Sequence, residues 1–146
     1  VPAHLFIAGA GSMEADLKAL GTRLGVLGRL HWLGHVPDPL PLYQGSDIFT
    51  LSSLGEAFGF VLAEAMACGV PCVASQCGGI GEVVAQDVTG LLIPPQEPKL
   101  FADAYERLAL DAILRKRMGN ESLDRVRRLF NVDRAVEGTL AVYEEM

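Results

Sequence analysis

Between Arg29 and Lys99 the sequence has no lysine or arginine, and eight of its twelve basic residues fall between Arg107 and Arg134. The net charge is −6. This balance argues against a nucleic acid partner, which would need a basic face to meet phosphates. No apolar run reaches the ~18 residues that a membrane helix requires. Cysteine is scarce: Cys68, Cys72 and Cys77 do not follow a zinc spacing, and no histidine lies close enough to complete one. No metal is therefore expected, and the three thiols are expected to be buried small hydrophobes in a reduced compartment. The opening Val1-Pro2-Ala3-His4 lacks the charged and apolar regions of a leader, so a soluble, cytoplasmic chain is expected. Repeats, linkers and low-complexity segments are also missing. At 146 residues, half of them apolar, the chain is long enough for one domain with a sizeable core.

The most informative stretch runs from Ser52 to Gly69. Asp47–Leu51 before it is a short apolar run with β-branched and aromatic residues, which predicts a buried strand. Ser52, Ser53 and Gly55 break the run. Phe58–Cys68 then favours helix, and Gly69 with Pro71 stops it. A strand, tight loop and helix put the helix N-terminus at the carboxyl end of a strand, where open α/β sheets bind ligands. The amides of Phe58, Gly59 and Phe60 are expected to be free there for phosphate oxygens. A side chain at Gly59 is expected to block the anion without disturbing the core. Glu56 lies in the loop and Glu64 in the helix, roughly 9 Å along the axis from Phe58 at ~1.5 Å per residue. Two carboxylates flanking an anion site suit a long ligand with hydroxyls at both ends, as in a nucleotide-sugar with its hexose, diphosphate and ribose.

The rest of the chain alternates strands and helices. Leu5–Ala8 reads as a buried strand ending in Gly9-Ala10-Gly11, with Ser12 as N-cap of a helix whose apolar stripe is Met13, Leu17, Leu20 and Leu24. The glycine pair invites a dinucleotide-binding reading. Glu14 stands where that motif's third glycine would be and no acidic ribose anchor follows, so a tight strand-to-helix turn is the better reading. Leu30–Leu33 is a second strand, followed by the loop Gly34-His35-Val36-Pro37-Asp38 and a short helix at Leu40–Gln44. Pro71–Ala74 is a strand, Ser75–Gly81 a glycine-rich loop, Glu82–Ala85 a short helix and Leu91–Ile93 the last strand. Gly78 and Gly79 either let the backbone approach a ligand or make a plain turn. Helices follow at Lys99–Ala109, with Leu100, Phe101, Ala104 and Leu108 apolar, and at Ala112–Phe130. In the latter Ile113, Leu114, Met118, Leu123, Val126 and Phe130 face inward and the arginines form a solvated face. Asn131 caps a final helix through Tyr143. Five short strands alternating with helices predict an α/β fold with a Rossmann-like parallel sheet.

Glu56-Ala-Phe-Gly-Phe-Val-Leu-Ala-Glu64, followed by Ala-Met-Ala-Cys-Gly-Val-Pro-Cys-Val-Ala-Ser, resembles the two-glutamate motif of retaining GT-B glycosyltransferases of family 4. Leu5-Phe-Ile-Ala-Gly-Ala-Gly11, Trp32-Leu-Gly-His-Val36, Gly78-Gly-Ile80 with Glu82-Val83-Val84, and Thr89-Gly-Leu-Leu-Ile-Pro-Pro95 follow in family order, so the resemblance covers nearly the whole chain. It implies one half of a GT-B fold, with residues 1–146 forming the nucleotide-sugar donor domain. It implies transfer of a hexose from a UDP-, GDP- or ADP-sugar with retention of configuration, no cofactor and no required metal. Glu56 would act at the hexose as the catalytic-site carboxylate. Glu64, Phe58, Gly59 and Phe60 would bind the donor, and the His35, Val36 and Asp38 loop would line the nucleobase pocket. Relatives carry Pro at the position of Gly81, so this loop is expected to be looser.

Relatives also carry an upstream strand ending in a Gly-Arg turn, with a lysine soon after, and those cations hold the donor phosphates. Neither is present in this sequence, in agreement with the cation gap. The domain is therefore expected to be N-terminally incomplete, leaving an exposed or re-paired sheet edge. The acceptor is expected to bind an N-terminal domain, with any peripheral membrane contact left to that domain. Two alternatives belong to other classes: a nucleotide-sugar binding module without turnover, and a sugar-nucleotide epimerase, which would not be expected to show the two-glutamate motif. A paired-carboxylate hydrolase fits less well, because the pattern belongs to transfer.

Overall fold

The computed structural model describes residues 2–144. The chain forms two compact units, one reaching to Pro39 and the other beginning at Leu40. In the first, β1 (Leu5–Ala8) and β2 (Leu30–Gly34) make a two-stranded parallel sheet, joined through α1 (Glu14–Arg23) and a 3₁₀ turn at Leu27–Arg29. The pairing runs Leu5 to Leu30, Phe6 to His31 and Ile7 to Trp32, with a register shift before Ala8 meets Gly34. His31 stacks on Phe6 and on His4 at ring separations of 4.6 and 5.2 Å. Lys18 reaches Glu14 at 2.6 Å and lies 5.4 Å from the centre of the Trp32 ring.

Several expectations for this unit need correcting. β1 is not buried: Leu5 and Phe6 are 43% and 55% exposed, because a two-stranded ribbon buries side chains only where another element covers them. The stripe Met13, Leu17, Leu20 and Leu24 is likewise exposed, and Gly21 is the buried residue of α1. Ser12 does not cap α1. Met13 occupies that place in helical backbone with no side-chain bond to the first turn.

In the second unit β3 (Phe49–Leu51), β4 (Cys72–Ser75) and β5 (Gly90–Ile93) form a parallel sheet in the order β3-β4-β5. Helices α2 (Leu40–Gln44), α3 (Phe60–Ala67), α4 (Ile80–Val83), α5 (Pro98–Leu110), α6 (Ala112–Leu129) and α7 (Val132–Glu144) complete it. The five expected strands and their parallel sense are present. They are distributed over a two-stranded and a three-stranded sheet instead of one.

The middle strand β4 explains where the core sits. Successive side chains of a strand point to opposite faces, and β4 is buried throughout. Cys72 and Ala74 join Leu62, Ala65 and Met66 of α3 with Ile80 and Val83 of α4. Val73 joins Leu91 of β5, Phe101, Ala104 and Leu108 of α5, and Met118 of α6. The sheet is thus packed on both faces, as parallel sheets require.

On α6, Leu114, Met118, Ser122 and Val126 follow the four-residue repeat of one helix face, whereas Ile113 sits one position off that seam and is 84% exposed. Leu100 of α5 is also exposed. The arginines of α6 are not all solvated. Arg115 Nη1 donates to the carbonyls of Leu108 and Ala109 at 2.6 and 2.9 Å, at the end of α5. Arg125 donates from Nε to Val83 O at 2.8 Å and from Nη2 to Glu82 O at 2.6 Å, at the end of α4. Both guanidiniums meet orphan carbonyls at helix C-termini. Asn131 accepts from the Arg134 amide at 2.8 Å, as expected of a cap.

Candidate active site

The chain leaves β3 at Leu51 and crosses an irregular loop before α3 begins at Phe60. The helix starts two residues later than expected because Gly59 has φ +87°, a left-handed backbone that helix cannot include. Phe58 therefore lies before the helix, and the amides at its start are those of Phe60 and Val61. Leu62 N already donates back to Gly59 O at 2.9 Å. Glu64 is consequently about one turn into the helix, roughly 6 Å along its axis from Phe60 at ~1.5 Å per residue, and not two turns. Gly59 is buried, and a Cβ there would come within 2.9 Å of Leu62 Cδ1. A side chain at this position would strain the backbone and press on the core, contrary to expectation.

Two glycines hold the loop. The Gly79 amide donates to Glu56 O at 3.1 Å, and Cys77 Sγ lies 3.4 Å from Ser53 O. A Cβ on Gly78 would fall 1.9 Å from Glu56 O, and one on Gly79 would fall 2.2 Å from Ala57 O. The close approach that these glycines allow is thus to the Glu56 loop itself. Phe58 anchors the other end of the loop, half-buried against the core, with its ring edge-on to Phe130 at 5.5 Å. Phe60 is 73% exposed and tilts against Phe58 at 5.0 Å.

The two glutamates differ in how they are held. Glu56 is half-buried, and among the described residues its carboxylate has no hydrogen bond or ion pair. Glu64 is exposed, yet its Oε2 accepts a 2.7 Å hydrogen bond from the Tyr43 hydroxyl. Tyr43 of α2 is 7% exposed, and its ring packs edge-on to Phe49 at 5.5 Å. Burial, and then the bond to the Glu64 carboxylate, push its hydroxyl well above the ordinary tyrosine range, so it acts as a donor. No sequence signal points to this pair. Tyr43 is the fourth residue of the five-residue α2, and no spacing rule links it to a glutamate 21 positions on.

His35, Val36 and Asp38 stay together on the loop after β2, in the first unit, whereas Glu56, Phe58, Gly59, Phe60 and Glu64 belong to the second. His35 and Asp38 are exposed and Val36 is half-buried. The Gly9 amide donates to Gly34 O at 2.6 Å, tying the turn after β1 to the start of this loop. Among the described residues no group of three or more His, Cys, Asp or Glu is placed to hold a metal ion. No helix among them is long and apolar enough to cross a membrane.

The family model for glycosyl transferases group 1 matches residues 1–125. The chain is 35% identical over 144 residues to an uncharacterized glycosyltransferase of Methanocaldococcus jannaschii, covering 97% of this chain and 37% of that protein. It is 33% identical over 146 residues to N-acetyl-alpha-D-glucosaminyl L-malate synthase of Bacillus anthracis, covering 100% of this chain and 38% of that one. The fold matches the Anabaena protein HepE, solved in complex with UDP, with a TM-score of 0.90 and 26% identity over 99% of this chain and 41% of HepE. The chain thus spans less than half the length of each of these relatives.

Proposed function

Because the chain belongs to the glycosyl transferases group 1 family, we propose that it supplies the nucleotide-sugar donor site of a retaining hexosyltransferase whose acceptor binds an N-terminal domain. UDP is the favoured nucleotide, since HepE was solved with it. Glu56 faces the hexose, the first-turn amides of α3 receive the diphosphate, and Glu64 takes the ribose hydroxyls. In the reaction the bond from the anomeric carbon to the phosphate oxygen breaks and the bond to the acceptor oxygen forms on the same face. The leaving diphosphate takes the acceptor's proton. The protein orients the hexose and stabilises the departing charge with fixed dipoles and needs no metal ion.

The reading rests on one observation: a half-buried Glu56, unpaired and fixed through its backbone, stands just before a helix start whose Glu64 is already held. Charge-assisted hydrogen bonds of the kind proposed contribute roughly 1.5–3 kcal/mol each. Glu64→Gln is expected to weaken UDP and UDP-glucose alike. Glu56→Gln is expected to leave UDP untouched and weaken only the sugar-bearing donor. Calorimetric titration of both variants with both ligands checks this. Equal effects of the two substitutions would refute the division of roles, and the reversed pattern would turn the donor round.

The cation gap from residue 30 to residue 98 favours a second behaviour for this chain alone, donor binding without turnover. Affinity for UDP is then expected to be weaker than ~100 µM, about 5.5 kcal/mol. Release of UDP over multiple turnovers by the chain alone would exclude this second behaviour.

A further inference from the structure

The Tyr43–Glu64 pair joins a buried group to an exposed one. The tyrosine ring is fixed by the core and by Phe49, so the core sets where its hydroxyl sits. The glutamate side chain is exposed and carries several rotatable bonds that would otherwise be free. A phenol has one hydrogen to donate, and here it goes to Oε2 of Glu64 at 2.7 Å. Oε1 and the remaining lone pair of Oε2 stay open as acceptors. A vicinal diol presents two O–H donors, which such a carboxylate can take side by side. A carboxylate already oriented binds that diol without losing rotamer freedom in the act. The raised tyrosine pKa is consistent with this, since the hydroxyl keeps its proton while the carboxylate is charged.

We propose that Tyr43 is a positioning residue: its 2.7 Å hydrogen bond holds Glu64 in the orientation that accepts the two ribose hydroxyls of the nucleotide. This rests on the donor reading of Glu64 given above. The bond is then not merely a means of satisfying a buried phenol.

The chain, Tyr43→Phe, Glu64→Gln and the double variant are titrated with UDP and with the UDP analogue that lacks both ribose hydroxyls. Phenylalanine keeps the ring and its packing, and urea unfolding of each variant checks that the fold is retained. The unaltered chain is expected to prefer UDP. Tyr43→Phe is expected to reduce that preference about tenfold, ~1.4 kcal/mol, with affinity for the analogue unchanged. In the Glu64→Gln background the tyrosine substitution should have no further effect. If Tyr43→Phe weakens both ligands equally, or adds in full to Glu64→Gln, the tyrosine is only structural and the proposal fails. If Glu64→Gln abolishes the preference while Tyr43→Phe leaves it intact, Glu64 binds ribose unaided and this proposal alone falls. If Glu64→Gln leaves the preference intact, or the unaltered chain binds no UDP, the donor reading falls and takes the proposal with it.

Discussion

Gly79 has φ −83°, a backbone that any residue adopts, so it is glycine for space and not for conformation. A methyl there would sit 2.2 Å from Ala57 O, against backbone that cannot swing aside as a side chain could. Gly79→Ala should therefore push the Glu56 loop away and break the hydrogen bond from its own amide to Glu56 O. Overpacking of this kind costs typically 1–3 kcal/mol. The expected result is a urea midpoint lowered accordingly and a loss of affinity for UDP-glucose that is larger than the loss for UDP, both measured on the same variant. Equal losses for the two ligands would mean that the loop does not act at the sugar. Gly81, two positions on, has nothing within 4 Å of where its Cβ would be, so Gly81→Ala serves as the matched control and should lower neither quantity.

At the scale of elements, α6 does more than cover the sheet. Arg115 and Arg125 extend from it to close the C-terminal carbonyls of α5 and α4, so one helix fixes the ends of two others. Arg125 matters most to the very short α4, which has too few internal hydrogen bonds to persist alone. Arg125→Met keeps the apolar stem but leaves the Glu82 and Val83 carbonyls without this donor. A destabilisation of about 1–3 kcal/mol is expected. The exposed Arg128→Met should stay within about 0.5 kcal/mol of the unaltered chain. Equilibrium urea unfolding of the two variants checks the contrast.

For the molecule as a whole, protons link stability to alkaline pH. Burial holds the Cys72 thiol above its ordinary 9.0, and burial with the Glu64 bond holds the Tyr43 hydroxyl above its ordinary 10.0. Burial also raises Tyr105, partly offset by its hydrogen bond with Thr50, and raises Cys68 together with the nearby Glu64 charge. The folded state keeps these protons to higher pH than the unfolded chain does. Above about pH 9 the unfolded chain therefore binds fewer protons than the folded one, and stability falls as pH rises. Below the ordinary thiol value the contribution is fully present. Urea unfolding between about pH 7.5 and 10.5 should show this decline. Cys72→Ala should flatten its onset if that thiol is responsible.

The motif order and the alternation of strands with helices were legible in the residues, because hydrophobic period, helix formers and glycine or proline breaks act over a few positions of chain. From these followed the parallel α/β organisation, the strand-loop-helix unit at Glu56 and the family. What the chain's local signals could not supply were the facts that depend on side chains meeting across it. The apolar stripe of α1 looked like a buried face, but burial depends on what lies opposite, and there it is exposed. Gly78 and Gly79 fit either a ligand approach or a turn by local signal alone, and in the fold the Glu56 loop lies against them. The start of α3 moved because a glycine permits φ +87° without announcing it. Tyr43 reached Glu64 only because α2 and α3 pack side by side, a contact set by the core and not by any spacing in the sequence.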